Sequence, residues 1–406
     1  MISEGISVVT HVTLPGDPAR LSRLQQVSPD LADDYMTLEL LAAGLAGIQV
    51  NQQKALWSSP QPSADPMGLP AAWTAGVKRL LWRALEDGSR ELTSHADVFR
   101  WCRVPLKRWP LALRIAQSDL ELLLIENGRP SAFTEQAAQL HLSSDPEAEL
   151  VENRCYELMI TVADRNGQTE RDVQGNYVHL RGFLTKYAVA SDIDLLGLIR
   201  AFPAKDANGQ PWVKRWFMQC YRALPANGAV VLSFCDGCGN LLTDPCSCGT
   251  PGCAGKPVIR TVATMSEYFA QNRAVRRFFY DPGLAEQRIF AALEPAFGER
   301  LHLWWGMDAV DAAIDFENTG KMGVGEWWAA DVKDHASATL LGRSFRWNPR
   351  AASKRRILVI AQHRFEQPGY VDDLTTSLQG RVQGVEIMSE AAFVAAALAR
   401  DGRQSR

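Results

Sequence analysis

Between Asp311 and Lys333 the chain reads DAAIDFENTGKMGVGEWWAADVK, two short apolar runs joined by a glycine-rich connection. Both runs read as strands. The first, AAIDF, ends in a carboxylate at Asp315, and the second, WWAADVK, carries Asp331 and Lys333. Side chains alternate along a strand, so Asp331 and Lys333, two apart, project from the same face. A carboxylate and an ammonium leaving an otherwise apolar strand together are costly to bury without a purpose. A second carboxylate on the neighbouring strand would complete a site for a divalent cation beside a positive charge. Phosphodiester hydrolysis uses that combination, with oxygen ligands for Mg²⁺ and a cation near the phosphate.

The triplet alone carries little weight, because 46 acidic residues and ten lysines in 406 positions give about one acid-x-Lys by chance, and Asp331-Val332-Lys333 is the one present. Its context carries more. It lies late in an apolar run, sixteen residues after Asp315. Asp311 shares the strand face of Asp315 but lies four residues away, roughly 13 Å at strand rise, which makes it peripheral to a site built on Asp315.

The cysteines supply a second anchor. Five of eight fall within nineteen residues: Cys235, Cys238, Cys246, Cys248 and Cys253. AVVLSFCDGCGNLLTD is a strand, a Cys-x-x-Cys knuckle and a returning apolar segment, similar to the first half of a zinc ribbon. Four thiolates close a structural Zn²⁺ site and leave no open position for catalysis. Cys235 and Cys238 fill two places, Cys248 and Cys253 the others, and Cys246 can replace either of the latter. A disulfide scaffold is the competing reading, disfavoured by the odd number and the size of the chain.

The remainder reads as mixed. Residues 1–150 are mainly helical, with Leu38, Leu40, Leu41 and Leu45 and then Trp73, Val77, Leu80, Leu81 and Ala84 at helical spacing. Residues 151–228 form an α/β or helical middle region, in which ELMITVADRNGQ reads as a strand, followed by helices at VHLRGFLTKYAVA, DIDLLGLIRAF and PWVKRWFMQCYRAL. Asp192 or Asp194 can cap the second of these. Residues 229–262 are the ribbon and 263–406 the last domain. There, a helix from about Leu284 aligns Ile289, Phe290, Leu293 and Phe297. Glu286 falls on that apolar stripe, facing either core or a site; a dipole-stabilised N-terminal Glu is the alternative.

A net charge of −3 excludes a globally basic nucleic-acid binder, so such contacts must come from local patches. One follows Lys333: Arg343, Arg346, Arg350, Lys354, Arg355 and Arg356 lie in a stretch without an acid, interleaved with Phe345 and Trp347. They read as DNA-backbone contacts or as a solvated loop. The start lacks a signal peptide's basic and apolar segments, and no run is long enough to span a bilayer, so the expectation is a cytoplasmic, non-membrane protein.

The Asp315, Asp331-x-Lys333 arrangement resembles the PD-(D/E)xK nuclease superfamily, with Ile314 where that family often has proline. The resemblance implies a C-terminal α/β restriction-endonuclease-like core, Mg²⁺ or Mn²⁺ on Asp315 and Asp331, Lys333 assisting the attacking water, and Glu286 as a third carboxylate. The fold class expected is α+β multidomain: a helical N-terminal region, the ribbon, and that core. A ribbon ahead of such a core, behind a long helical region, resembles the nuclease component of bacterial pPIWI-RE defence islands. This implies a DNA endonuclease partnered by a Piwi-like protein and a DinG-type helicase. Two rivals are a non-catalytic ribbon scaffold with a decayed nuclease fold and a transposase-like strand-cutting subunit.

Overall fold

The computed structural model describes residues 33–55, 69–86, 94–140, 146–224, 230–242, 248, 250, 252–262, 268–351, 353–378 and 382–404. It is a mixed helix-and-sheet chain. The N-terminal part is built from helices α1 (Tyr35–Ala55), α2 (Ala71–Glu86), α3 (His95–Trp101) and α4 (Ala132–Leu140). Leu38, Leu41, Leu45, Trp73, Val77, Leu80 and Ala84 are buried together there. The same core takes in Ala336 and Leu340 from far along the chain. Trp101, the last residue of α3, and Trp109 are in ring contact, and Trp109 is buried.

Next come α5 (Pro146–Asn166), α6 (Glu170–Lys186), α7 (Asp192–Ala201) and α8 (Trp212–Cys220). The strand expected at ELMITVADRNGQ is instead the second half of α5. Cys155, Leu158, Met159, Val162 and Ala163 are buried at three- and four-residue spacing, so a helical stripe overrides the β preference of the Ile-Thr-Val run. The cap of α7 is also reassigned: Ser191 is the N-cap, and Asp194 closes a capping box from the N3 position. Strands β1 (Val189–Ser191) and β2 (Tyr221–Ala223) flank β6 (Tyr268–Gln271) in one small sheet. Residues 268–271, which follow the cysteine-rich segment, thus pair with strands that precede it.

The cysteine-rich segment is a second small sheet, β3 (Val230–Cys235) between β4 (Leu241–Leu242) and β5 (Pro257–Val262). Helix α9 (Asp281–Phe297) leads into the main sheet of β7 (Leu301–Trp304), β8 (Val310–Asp315), β9 (Trp327–Lys333), β10 (Arg355–Ile360) and β11 (Val385–Ser389). The strands lie in sequence order. The first three are antiparallel and the last three parallel. The parallel crossovers carry α10 (Ala338–Ser344) and α11 (Tyr370–Leu378), and α12 (Glu390–Gln404) closes the chain. One face of the sheet buries Ala312, Ile314, Ala330 and Val332 with Ile289 and Leu293 of α9 and Phe393 of α12. The opposite face packs Leu358 and Ile360 against Leu341 of α10 and Leu374 of α11. No helix among the described residues is long and apolar enough to cross a membrane.

Candidate functional site

Register decides which carboxylates meet. Antiparallel β8 and β9 pair Ala312 with Ala330 and Asp315 with Trp327. One further step of that register sets Asp311 opposite Asp331. Asp311 Oδ2 accepts the Val332 amide at 2.6 Å and lies 3.8 Å from Lys333 Nζ, which also pairs with Asp331. Asp315 is four rows away, roughly 13 Å at strand rise. It is buried, and it accepts the Gly320 amide at 2.7 Å and the Thr319 hydroxyl at 3.2 Å. Its visible task is to close the β8–β9 connection. The carboxylate beside Asp331 and Lys333 is therefore Asp311, and the expected placement of Asp315 with that pair is corrected. Counting residues along one strand had made Asp311 remote from Asp315; it did not say which of the two the register would set against Asp331.

Glu286 is 2% exposed on α9 and accepts a hydrogen bond from the Trp304 indole. Burial and the nearby Asp311 push its carboxyl up to about 8, against the pull of Arg181. Burial raises Asp331 to about 7, with Lys333 opposing and Asp311 adding to the shift. Burial works against the Lys333 ammonium, yet Asp331 and Asp311 hold it above its ordinary range. The four groups sense one another's charge: Glu286, Asp311, Asp331 and Lys333 are one electrostatic unit.

Further residues absent from the sequence reading complete that unit. Asp308, just before β8, lies in a turn where Trp304, Gly306, Met307 and Asp308 all have positive φ. Non-glycine residues in that region are strained and cluster at sites. Helix α6 holds the turn: Gln174 Nε2 donates to the Trp304 carbonyl at 2.9 Å, and Tyr177 Oη donates to Asp308. Arg181, 4% exposed, lies 3.5 Å from Asp308 and 3.6 Å from Glu286. Burial disfavours the guanidinium, but the two carboxylates keep it above its usual value. An arginine on α6 for a glutamate on α9 and an aspartate before β8 leaves no local spacing signal. Asp308 Oδ1 is buried, accepts no hydrogen bond from the described residues, and lines the same cavity as Asp311, Asp331 and Lys333. Hard oxygen donors with a spare buried oxygen and an adjacent ammonium fit a divalent cation such as Mg²⁺ or Mn²⁺.

That cavity is about 480 Å³ in volume. Gln136, Gln139 and Leu140 of α4 form one wall, and Phe345, Arg346 and Asn348 form another. His335, also in the lining, is driven by burial down to about 4 and is neutral at pH 7.

The basic stretch does not act as one patch. Arg343 pairs with Asp33 and stacks on Tyr35, 4.6 Å from the ring centroid. Arg355 forks onto Glu386 and lies 4.0 Å from the Trp328 ring centroid. Arg356 bonds to the Gln383 carbonyl at 2.9 Å. Parallel pairing puts Arg355 beside Trp328, and Lys333 beside Ile360 at the other end of the same ladder. Lys354 is exposed just before Arg355 at that remote end. Arg346 reaches the cavity, and Arg350 is exposed near it. Joint replacement of Arg355 and Arg356 by Ala should therefore leave unchanged the slope of log affinity against log salt for a bound nucleic acid. Arg346→Ala should flatten it by about 0.7 to 0.9, the value of one phosphate contact. Filter binding across a salt series checks both.

The second cluster is sulfur. The Sγ atoms of Cys235, Cys238, Cys248 and Cys253 all lie within 4.8 Å of one another. The Cys235–Cys253 and Cys238–Cys248 sulfurs are 3.4 Å apart, too far for a disulfide and close to the spacing of a tetrahedral metal–thiolate site. The four thiols could hold a metal ion. Cys246 lies outside the described residues. Gly255 makes the geometry possible, since a Cβ there would sit 2.3 Å from Cys235 Sγ. The cluster is docked onto the main body, because Tyr280 donates to the Cys238 carbonyl and Gly252 packs against the His363 ring.

A sheet carrying acids and a lysine at one end, with a separate thiol cluster, defines a mixed α/β chain with two candidate metal centres. Residues 283–405, spanning most of α9 and all of the main sheet, match the family model described as REase associating with pPIWI_RE. Residues 37–191 match the model described as pPIWI_RE three-gene island domain Y. The two matches tie the chain to the pPIWI-RE defence island, and the first fits a nuclease-like core. No curated protein and no solved structure matches the chain.

Proposed function

We propose that this protein is a metal-dependent DNA endonuclease of the PD-(D/E)xK, restriction-endonuclease-like kind, serving pPIWI-RE island defence. The observation that carries the reading is the meeting of Asp311, Asp331 and Lys333 at one end of the central antiparallel pair, with Glu286 supplied by the preceding helix. Asp311 and Asp331 would hold Mg²⁺ or Mn²⁺, with Glu286 and Asp308 close enough to contribute. A divalent cation there neutralises phosphate charge and acidifies water. Lys333, still a cation at neutral pH, holds a phosphate oxygen or orients the attacking water. Residues 229–262 form a zinc ribbon with a closed four-thiolate site, and residues 263–406 include the nuclease domain. The partners proposed are a Piwi-like protein and a DinG-type helicase, in the cytoplasm.

The main rival is a scaffold with a decayed core. An intact set of acids and lysine argues against it, since buried like charges without a ligand are a standing cost. Cleavage of plasmid and single-stranded DNA with Mn²⁺, and its loss on chelation, tests the reading; a transposase-like subunit would instead cut only at particular DNA ends.

Glu286 also makes a prediction about stability. Its folded pKa, about 8, exceeds its ordinary 4.5, so the native state binds the extra proton between those values. Stability contributed by this group is full below about 4.5 and declines as pH rises to about 8. Without added divalent metal, the melting temperature should fall across that window, and Glu286→Gln should remove several degrees of the fall. Equal pH profiles for the two proteins would show that Glu286 is not buried as a strained acid.

A further inference from the structure

We propose that the stretch matching domain Y is a working part of the cation site: Gln174 and Tyr177 of α6 are positioning residues that hold Asp308 in place as a cation ligand. This rests on the nuclease reading above. It comes from where the polar contacts between the two matched stretches fall.

The acids and the lysine that form the site lie within residues 283–405. Asp311 is the second residue of β8 and Lys333 the last of β9, so the site's shape depends on the segment entering β8 and the segment leaving β9. Side chains from residues 37–191 grip both. On entry, Gln174 donates to the Trp304 carbonyl at 2.9 Å and accepts the Met307 amide at 3.2 Å. Tyr156 of α5 donates to the Met307 carbonyl at 2.9 Å, and Tyr177 donates to the Asp308 carboxylate. On exit, Gln136 of α4 donates to the Asp334 carbonyl at 2.8 Å and accepts the Ala336 amide at 2.7 Å. Each glutamine thus serves one backbone donor and one backbone acceptor beside the site, groups that a buried chain must pair somewhere.

The entry turn is also strained. Trp304, Met307 and Asp308 have φ of 50°, 56° and 66°. Such residues persist where their surroundings over-determine them, and they cluster at ligand clamps. The turn places Asp308 on the cavity that Asp311, Asp331 and Lys333 line. Its Oδ2 takes the Tyr177 hydroxyl and lies 3.5 Å from Arg181, while Oδ1 is buried and accepts no hydrogen bond from the described residues. Ordinary packing between two stretches needs neither a strained turn nor a spare buried carboxylate oxygen. A cation ligand accounts for both.

The test is a calorimetric titration of Mn²⁺ into the full, zinc-loaded chain, at a temperature where melting curves show each variant folded. Tyr177→Phe and Gln174→Met delete hydrogen bonds but keep shape and charge, so the acids attract the cation as before. Each should weaken Mn²⁺ binding about tenfold or more, the usual effect of losing a partner that orients a metal ligand. Tyr221→Phe is the control. Tyr221 is buried in the same core as Tyr177 and donates to the Tyr187 carbonyl at 2.6 Å, so its variant loses a similar bond and should bind Mn²⁺ like the wild type. Wild-type affinity in either α6 variant, once shown folded, overturns the proposal. An equal loss in Tyr221→Phe also overturns it, since the effect would then be one of general stability, and so does a wild type that binds no Mn²⁺. Should Tyr177→Phe fail to fold, the half-buried Gln174→Met carries the test. A wild type that binds Mn²⁺ but cuts no DNA refutes the nuclease reading alone, and the affinities still decide this one.

Discussion

Asp311→Asn is expected to lower metal-dependent cleavage at least about a hundredfold, the loss of roughly 2.7 kcal/mol of transition-state stabilisation, and to match Asp331→Asn in doing so. Both carboxylates contact Lys333, and either amide keeps the side-chain shape while removing a charge that would hold the cation. Lys333→Ala should abolish cleavage as thoroughly while leaving the oxygen ligands. Unfolding should change little in the two asparagine variants, because removing one of several crowded carboxylates relieves repulsion, whereas Lys333→Ala leaves Asp311 and Asp331 without their counter-charge and should lower stability. Asp315→Asn is the contrasting variant. Its oxygen can still accept from Gly320 and Thr319, so cleavage should stay within a small factor of wild type. Single-turnover rates with Mn²⁺ for the four variants check the set. Loss of activity in Asp315→Asn with retention in Asp311→Asn would return the site to the arrangement first read from the sequence.

The thiol cluster has the second large effect. Purified protein should carry about one zinc per chain, and Cys238→Ser should lose most of it. The structural consequence should be local and severe. Among the described side chains of β3, β4 and β5, Leu232 and Leu242 are the buried aliphatics, so the metal should carry much of the module's stability. Metal binding in such modules supplies folding free energy outright. The Cys238 carbonyl anchors Tyr280 at the head of α9, so the lost ribbon should also loosen the helix that carries Glu286. Metal analysis together with limited proteolysis reads both effects. Stoichiometric disulfides in place of metal would overturn this assignment.

Much of the site was legible because it obeys short periods. Asp331 and Lys333 share a face by the strand period of two, and Glu286 lies on the 3.6-residue stripe of Ile289, Leu293 and Phe297, so burial of that carboxylate followed from spacing. What sequence did not contain was register. The connection between Asp315 and Trp327 is long, and its closure by Asp315 itself, through Thr319 and Gly320, decides that Asp311 and not Asp315 reaches Asp331. The β-branched run in α5 was misread because burial on a helical stripe outweighs local preference. Arg181, Tyr177 and Gln136 were missed for a different reason. Each reaches the site from more than a hundred residues away, where a polar residue on an amphipathic helix looks like any solvated one. The basic stretch fails in the opposite sense. Six cations close in sequence are scattered by a strand and a crossover, and four of them, Arg343, Arg346, Arg355 and Arg356, bond to internal partners.

The most direct test of the account is a calorimetric titration of Mn²⁺ into the zinc-loaded protein, run on wild type and Asp331→Asn, with cleavage of a single-stranded DNA followed in parallel. The account predicts Mn²⁺ binding and cleavage in the wild type, and loss of both in Asp331→Asn. Cleavage that persists in Asp331→Asn, or in wild type with excess EDTA, would contradict it.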